Sequence, residues 1–399
     1  MPLDSASAAL LPHPLGQQQL LLADTTLQYG FYANTSYPRR LYQGCTRTVS
    51  AAQLEEAQLV FGYQPRPGMV LIGAQKAGTT SIDAAIKPVN NYFCSTDEEL
   101  HFFDDEIFRA TSVNSSTLPY YFMYWQPRSC NTTVPRFEKS PAYLSQPWAA
   151  KRLCEALPQQ KLSAILREPV ARAYSSFHET PEYFFTANGG PLNVTKDADG
   201  FHQYAKIDMA ITESCGGLYD GEPAVDEAAA ITYRPCCEAV AAGYGQTSWP
   251  GCSCDPHTEY GNHACGTYGD KRAMSVRNSI YDTQLRAFYR YHRQTDLLLF
   301  EMTPVINDLP NVARDMAIIA DTPSLTMERL ERIDSDDAVV QTHANEKADE
   351  YKPMHNYTRH MLTKFYRPYN RKLSTLIGRE LPWSQPLLPA AERRAERGA

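Results

Sequence analysis

The 399-residue chain contains no apolar run near the about 20 residues that a membrane-spanning helix needs. Its leucine-rich start, residues 8–23, is broken by Pro12, His13, Pro14 and the glutamines 17–19, and lacks the basic lead and smooth apolar centre of a secretory signal. A membrane anchor is therefore not visible in this chain. Positive charge is also in short supply: 38 Lys and Arg against 45 Asp and Glu leave a net charge of -7. That excludes a blanket attraction to nucleic acid, so any polyanion contact has to be local. One candidate is 359–379, where Arg359, Lys364, Arg367, Arg371, Lys372 and Arg379 are interrupted by no acid. A solvated helix face is the alternative. No C-x-x-C pair occurs, which weakens a zinc reading of the cysteines.

What is present fits a folded protein. With 43% hydrophobic and 21% charged residues the chain can bury a large core, and one domain with embellishments suits its length. Ten cysteines, six of them between Cys215 and Cys265, favour disulfides in an oxidising compartment. Five of the 14 asparagines, Asn34, Asn114, Asn131, Asn193 and Asn356, stand in Asn-x-Ser/Thr sequons. Both features point to the secretory lumen.

Residues 1–66 carry few helix or strand signals and end in Gln-Pro-Arg-Pro-Gly, as a linker or wrapping arm would. From Gly68 the pattern becomes strand, loop and helix, the helix starting near Gly78 or Thr79 and stopping before Pro88. Further buried strands are expected over 161–166 and 296–301, each preceded by a helical stretch. This alternation predicts an α/β fold with a central parallel sheet flanked by helices. Between 214 and 270, Gly, Pro, Tyr and Cys dominate, marking a disulfide-rich insertion, with a zinc site as the sharper alternative. The domain is thus 67–384, and 385–399 is a tail.

Residues 68–80 read Gly-Met-Val-Leu-Ile-Gly-Ala-Gln-Lys-Ala-Gly-Thr-Thr, an apolar strand running into a tight turn. Gly73 and Gly78 let backbone N–H groups approach an anion, Lys76 adds charge, and a helix N-terminus follows. In a nucleotide triphosphatase loop the lysine follows the second glycine, whereas here it precedes it. The loop is phosphate-like without that metal-binding Lys-Ser/Thr order. Three more segments carry chemistry. Residues 98–104, Glu-Glu-Leu-His-Phe-Phe-Asp, gather three carboxylates and an imidazole; 137–143 read Phe-Glu-Lys-Ser-Pro-Ala-Tyr; and 161–176 form a strand ending at Arg167, a turn at Pro169, and a helix bearing Ser175.

Taken in this order, the four segments resemble the Golgi carbohydrate sulfotransferases of the heparan sulfate group. Ser-Val-Arg-Asn-Ser-Ile-Tyr at 275–281 and Phe-Tyr-Arg-Pro-Tyr-Asn-Arg at 365–371 extend the likeness over about 68–383, outside the cysteine-rich insertion. The resemblance implies a P-loop-like fold, 3'-phosphoadenosine 5'-phosphosulfate (PAPS) as donor without a metal, a glycan acceptor, and a Golgi location. It assigns Lys76, Ala77, Gly78, Thr79 and Thr80 to the 5'-phosphosulfate, Arg167 and Ser175 to the 3'-phosphate, and Glu99 to the general base. An imidazole is better matched to neutral pH, so His101 is the rival base. Asp104 would orient a neighbour or accept from substrate. Lys139 would reach the donor's bridging oxygen or the acceptor, or else pair with Glu138 or another acid. Family members carry a disulfide-flanked basic loop before the last helix; this chain lacks those cysteines, and Lys352 would stand in for its basic residue. The aromatics Phe102, Phe103, 120–122, Tyr124 and Trp125 are candidates for sugar stacking or for mixed core and surface. Two other readings remain: a nucleotide-dependent small-molecule kinase, and a catalytically silent glycan-binding protein.

Overall fold

The structure, a computed structural model, describes residues 27–45, 67–86, 99–104, 136–146, 148–180, 192–215, 236–246, 275–320 and 352–384, with a few isolated positions between them. Its centre is a five-stranded sheet: β1 (Pro67–Gly73), β2 (Cys94–Ser95), β3 (Arg136–Lys139), β4 (Leu162–Leu166) and β5 (Leu297–Glu301). The spatial order is β2-β3-β1-β4-β5 and every pairing is parallel. Parallel strands are covered on both faces, which is why β1 and β4 read as unbroken apolar runs and are buried along nearly their whole length.

Nine helices are named here in chain order: α1 (Ser36–Leu41), α2 (Thr79–Ile86), α3 (Ala149–Ala156), α4 (Pro169–Glu179), α5 (Ala198–Cys215), α6 (Tyr281–Tyr291), α7 (Met302–Asn307), α8 (Leu309–Ile319) and α9 (Asn356–Ile377). The start of α4 is set locally. The Glu168 carboxylate accepts from the backbone N–H groups of Val170 and Ala171, and Pro169 occupies the first turn, where no donor is needed. Two apolar clusters result. One surrounds the sheet; the other lies between α4, α5, α9 and the 275–280 segment, with Trp249 fully buried in it.

The expected strands over 161–166 and 296–301 occur one residue shorter at their starts, and α2 begins at Thr79. The order of the strands explains where a site can form. From β1 the chain moves to one side, towards β2 and β3, and from β4 it moves to the other, towards β5. Adjacent strands whose connections diverge open a crevice beyond their carboxyl ends. Here that crevice lies between the turn after β1 and Arg167 after β4.

The amino-terminal region is a wrapping arm rather than a linker over residues 27–45. Phe31 exchanges backbone hydrogen bonds with Leu299, the Asn34 N–H donates to the carbonyl of Ile377, and Cys45 is disulfide-bonded to Cys154. Buried Asp315 on α8 gathers the N–H groups of Gln28, Tyr29 and Gly30 at 3.0, 2.7 and 2.8 Å. Within the insertion, Cys215 is bonded to Cys236 and a helical segment covers 236–243; its remaining cysteines, apart from Cys237, which is disulfide-bonded, lie outside the described residues, as does the tail after 384. The zinc alternative falls there as well. No helix among the described residues is long and apolar enough to cross a membrane.

The Asp315→Asn variant weakens three charge-assisted bonds to the arm without changing side-chain size. Charge-assisted hydrogen bonds contribute roughly 1.5–3 kcal/mol each, so amide hydrogen exchange at residues 28–30 is expected to accelerate at least tenfold while β1 and β4 amides keep their protection. Unchanged exchange at 28–30 would show that the arm is held by other contacts.

Candidate active site

The turn after β1 is pinned from outside. The Arg167 guanidinium donates from Nη1 to the Lys76 carbonyl at 2.7 Å, and Arg172, on α4, donates from Nε to the Gln75 carbonyl at 3.0 Å. Arg172 is itself buried and reaches the Ser275 carbonyl and Ser279 hydroxyl through Nη1. The Tyr281 hydroxyl donates to the Arg167 carbonyl, and burial pushes that phenol up to about 12, so it stays protonated. Two guanidinium groups thus hold two successive loop carbonyls. Lys76 has φ 65° and Gly78 φ 90°, which turns the chain sharply into α2. At Gly73 the constraint is space: a Cβ there would sit 2.5 Å from the Leu144 Cβ.

This turn, the start of α2 and the segments after β3 line a cleft of about 150 Å³ bounded by Gln75, Lys76, Thr79, Thr80, Glu99, Pro141, Ser176 and Glu179. The helix N-terminus, its threonines and Lys76 make one wall suited to an anion. Two carboxylates make the other. Lys76 Nζ lies 2.8 Å from Glu179 Oε1, and Lys139 Nζ lies 3.5 Å from Glu99 Oε1 and 3.4 Å from Asp83 Oδ2.

Glu99, His101 and Asp104 are brought together. His101 Nδ1 faces both oxygens of fully buried Asp104, at 3.0 and 3.2 Å, and its Nε2 lies 3.2 Å from Glu99 Oε2. Burial raises the Glu99 carboxyl, but the neighbouring His101 and Lys139 outweigh it and hold the group below its ordinary value of 4.5. Of the two rival bases, Glu99 lines the cleft, whereas both ring nitrogens of His101 face carboxylates.

Side-chain alternation along β3 separates Lys139 from its sequence neighbour. Lys139 faces Asp83 and Glu99, so its ion pairs are with those acids and not with Glu138. Glu138 is fully buried and accepts from the hydroxyls of Tyr121 and Tyr143 at 2.6 Å and of Ser140 at 3.1 Å. Burial raises its carboxyl, opposed by these three hydrogen bonds. The same two hydroxyls, of Ser140 and Tyr143, accept from the backbone N–H groups of His101 and Phe103, each at 3.3 Å. One buried carboxylate therefore hangs the Glu99–Asp104 segment from the end of β3, through a His101 backbone with φ 52°.

The other expected residues fall as follows. Ala77 is buried in the turn, Ser175 is buried on α4, and it is the next residue, Ser176, that lines the cleft. Lys352 is exposed, and its carbonyl accepts from the hydroxyl of Tyr174, the residue before Ser175 on α4, at 2.5 Å. Phe102, Phe103 and Tyr121 pack on one another and on Tyr143 as buried core, not as a sugar-stacking surface. Residues 120, 122, 124 and 125 lie outside the described residues. Asp83, Glu179, Arg172 and Ser176 are not among the residues that the sequence marks. Asp83 falls one turn after Thr79, a spacing that places it on the same helix face, but the others had no local signal.

No family model matches the chain. Among curated proteins it is 28% identical over 138 residues to the bifunctional heparan sulfate N-deacetylase/N-sulfotransferase 1 of Caenorhabditis briggsae, which covers 33% of this chain and 15% of that protein. It is 34% identical over 115 residues to the Xenopus tropicalis protein of the same description, covering 27% and 12%. It is 25% identical over 151 residues to the membrane-associated sulfotransferase kil1 of Dictyostelium discoideum, covering 37% and 29%. The matched stretch is thus less than a third of each relative's length. Among solved structures, a sulfotransferase from Alicyclobacillus acidocaldarius aligns with a TM-score of 0.47 at 16% identity, over 80% of this chain and all of that one.

The Tyr143→Phe variant removes the hydroxyl that joins Glu138 to the Phe103 N–H. A buried hydrogen-bond loss of this kind costs about 1–3 kcal/mol, so a lower denaturation midpoint is expected together with faster amide exchange at Phe103. Loss of stability without any change at that amide would contradict the hanging of the segment from β3. Over about a third of its length the chain is thus similar to sulfotransferases, among them heparan sulfate N-deacetylase/N-sulfotransferases.

Proposed function

We propose that the protein is a PAPS-dependent carbohydrate sulfotransferase that moves a sulfuryl group to a hydroxyl or amine of a glycan in the secretory pathway. The single observation that carries this reading is the convergence on one cleft of an anion-binding helix N-terminus with Lys76 and a carboxylate, Glu99, kept ionised by Lys139 and His101. The relatives' descriptions as sulfotransferases support sulfuryl transfer as the general chemistry. The heparan sulfate named in the description of the Caenorhabditis relative supports a glycan acceptor here.

The residues fit such a donor. Its 5'-phosphosulfate would meet the N–H groups of residues 77–80, the hydroxyls of Thr79 and Thr80, and Lys76 once that side chain leaves Glu179. Arg167, at the carboxyl end of β4, and Ser175 are assigned to the 3'-phosphate end, with Lys352, whose carbonyl meets Tyr174 on the same helix as Ser175, as a further basic residue there. The donor supplies an activated sulfur–oxygen bond. Glu99 takes the proton of the acceptor as the new sulfur–oxygen bond forms, and the bond to the leaving phosphate breaks in line. Lys76 and the backbone donors stabilise charge developing on that phosphate. His101, oriented by Asp104, positions Glu99, and Lys139 bridges Asp83 and Glu99 at the point where donor and acceptor meet.

Transfer of labelled sulfate to a glycan panel is expected to fall about 10²–10⁴-fold in Glu99→Gln, and to fall in Lys76→Ala; full activity in both would remove the mechanism. Thermal shift with 3'-phosphoadenosine 5'-phosphate against ATP and Mg²⁺ separates this reading from a kinase, which would respond to ATP. The pH dependence has a defined sign. Because the Glu99 carboxyl is lowered, its ionised form persists as pH falls to below 4.5, and activity is lost only as pH drops through that lowered value. Lys139→Ala removes one of the groups that lower it, so the acid limb of kcat/KM is expected to move upward. An acid limb unmoved by that change, or one near the ordinary imidazole range, would favour His101 as base.

A further inference from the structure

Helix α9 spans 22 residues, about 33 Å. Its inward face, Leu362, Phe365, Tyr366, Leu373, Leu376 and Ile377, is consumed by the core. On its outward face His360, Lys364, Arg367 and Arg371 are exposed at spacings of four, three and four residues. That spacing places all four on one stripe, about 16 Å long at 1.5 Å per residue. No acid occurs between Lys352 and Arg379 in a chain whose net charge is -7. Neighbouring cations are engaged: Arg359 lies 3.6 Å from Glu168, Arg379 lies 3.2 Å from Glu301, and Lys372 sits over the Tyr369 ring. Among the described residues Lys364, Arg367 and Arg371 form no ion pair. Like charges on one helix face repel weakly in water, and an anion laid along the stripe is attracted to all of them at once.

We propose that this stripe is a docking surface for a linear anionic glycan, separate from the reaction cleft. It rests on the glycan reading above for the choice of occupant and extends it to an acceptor, or a neighbouring chain, that bears carboxylate or sulfate groups. Three observations favour that occupant. The charges run in a line and match a chain with regularly repeated anions. The stripe begins one residue after Arg359, which contacts Glu168 at the carboxyl end of β4, so a long chain bound there lies on the same side of the sheet as the site. An anionic lipid surface fits less well, because an interfacial helix sinks an apolar face into the bilayer. Here that face is buried, and between Arg359 and Lys372 no large hydrophobic side chain is exposed.

The test uses the full chain and a size-defined heparin octasaccharide, with binding measured by calorimetry over a range of salt concentrations. Lys364→Ser/Arg367→Ser/Arg371→Ser is compared with Arg39→Ser/Arg40→Ser/Lys151→Ser, which removes three exposed cations elsewhere. The stripe variant is expected to bind at least tenfold more weakly, with a shallower dependence of log affinity on log salt. The control should bind like the parent, and both variants should bind 3'-phosphoadenosine 5'-phosphate unchanged. Equal weakening in both variants, or no weakening in either, overturns the proposal. So does a stripe-dependent association with phosphatidylserine vesicles in the absence of stripe-dependent octasaccharide binding. Because binding is read without turnover, a protein that fails to transfer sulfate yet binds the octasaccharide through the stripe would refute the proposed reaction and leave this surface standing.

Discussion

The site depends on two guanidinium groups holding the carbonyls of a turn. Backbone N–H groups can point at an anion only if the carbonyls of the same turn point away and are satisfied there. Arg167 and Arg172 do this for Lys76 and Gln75, and both are in turn fixed by β4, α4 and the 275–281 segment. Residues separated by about 90 and 100 positions in sequence therefore decide the shape of the five-residue turn between β1 and α2. The crevice between β1 and β4 provides the room, because their connections leave in opposite directions.

Charge alternates across the cleft. Each lysine that would attract an anion is already beside a carboxylate, Lys76 by Glu179 and Lys139 by Glu99 and Asp83. Such partly exposed pairs are weak, of order 0–1 kcal/mol, so a dianionic ligand held also by a helix N-terminus can exchange Glu179 for itself at small cost. The Lys139–Glu99 contact has another effect. Burial raises the Glu99 carboxyl, and the His101 contact together with this one outweighs it, while the buried Glu138 network keeps the backbone that carries His101 and Asp104 in register with β3.

Much of this was legible in residue order because the relevant signals are local. Buried parallel strands are continuous apolar runs, and such runs mark β1, β4 and β5 to within a residue or two of their ends. The anion turn carries its own glycines and lysine, and Glu99, His101 and Asp104 lie within one short segment. Other features were not legible, for physical reasons. The arm over 27–45 is held by backbone hydrogen bonds to Asp315, Leu299 and Ile377, by the Cys45–Cys154 disulfide and by apolar side chains such as Phe31, Ala33 and Leu41 packed on the core, and these last follow no sustained helix or strand period. Glu179 reaches the cleft only through the tertiary placement of α4, whereas Asp83, which meets Lys139, has the one local signal of lying four residues after Thr79. Aromatics 102, 103 and 121 could not be divided between surface and core without knowing that Glu138 lies beneath them.

The most direct test of the central claim is a crystal structure of the protein with 3'-phosphoadenosine 5'-phosphate. The account predicts the 5'-phosphate within hydrogen-bond distance of the N–H groups of residues 77–80 and of Lys76, the Lys76–Glu179 pair broken, and the 3'-phosphate at Arg167. A nucleotide bound on another face, or one whose 5'-phosphate points away from Glu99, would contradict it.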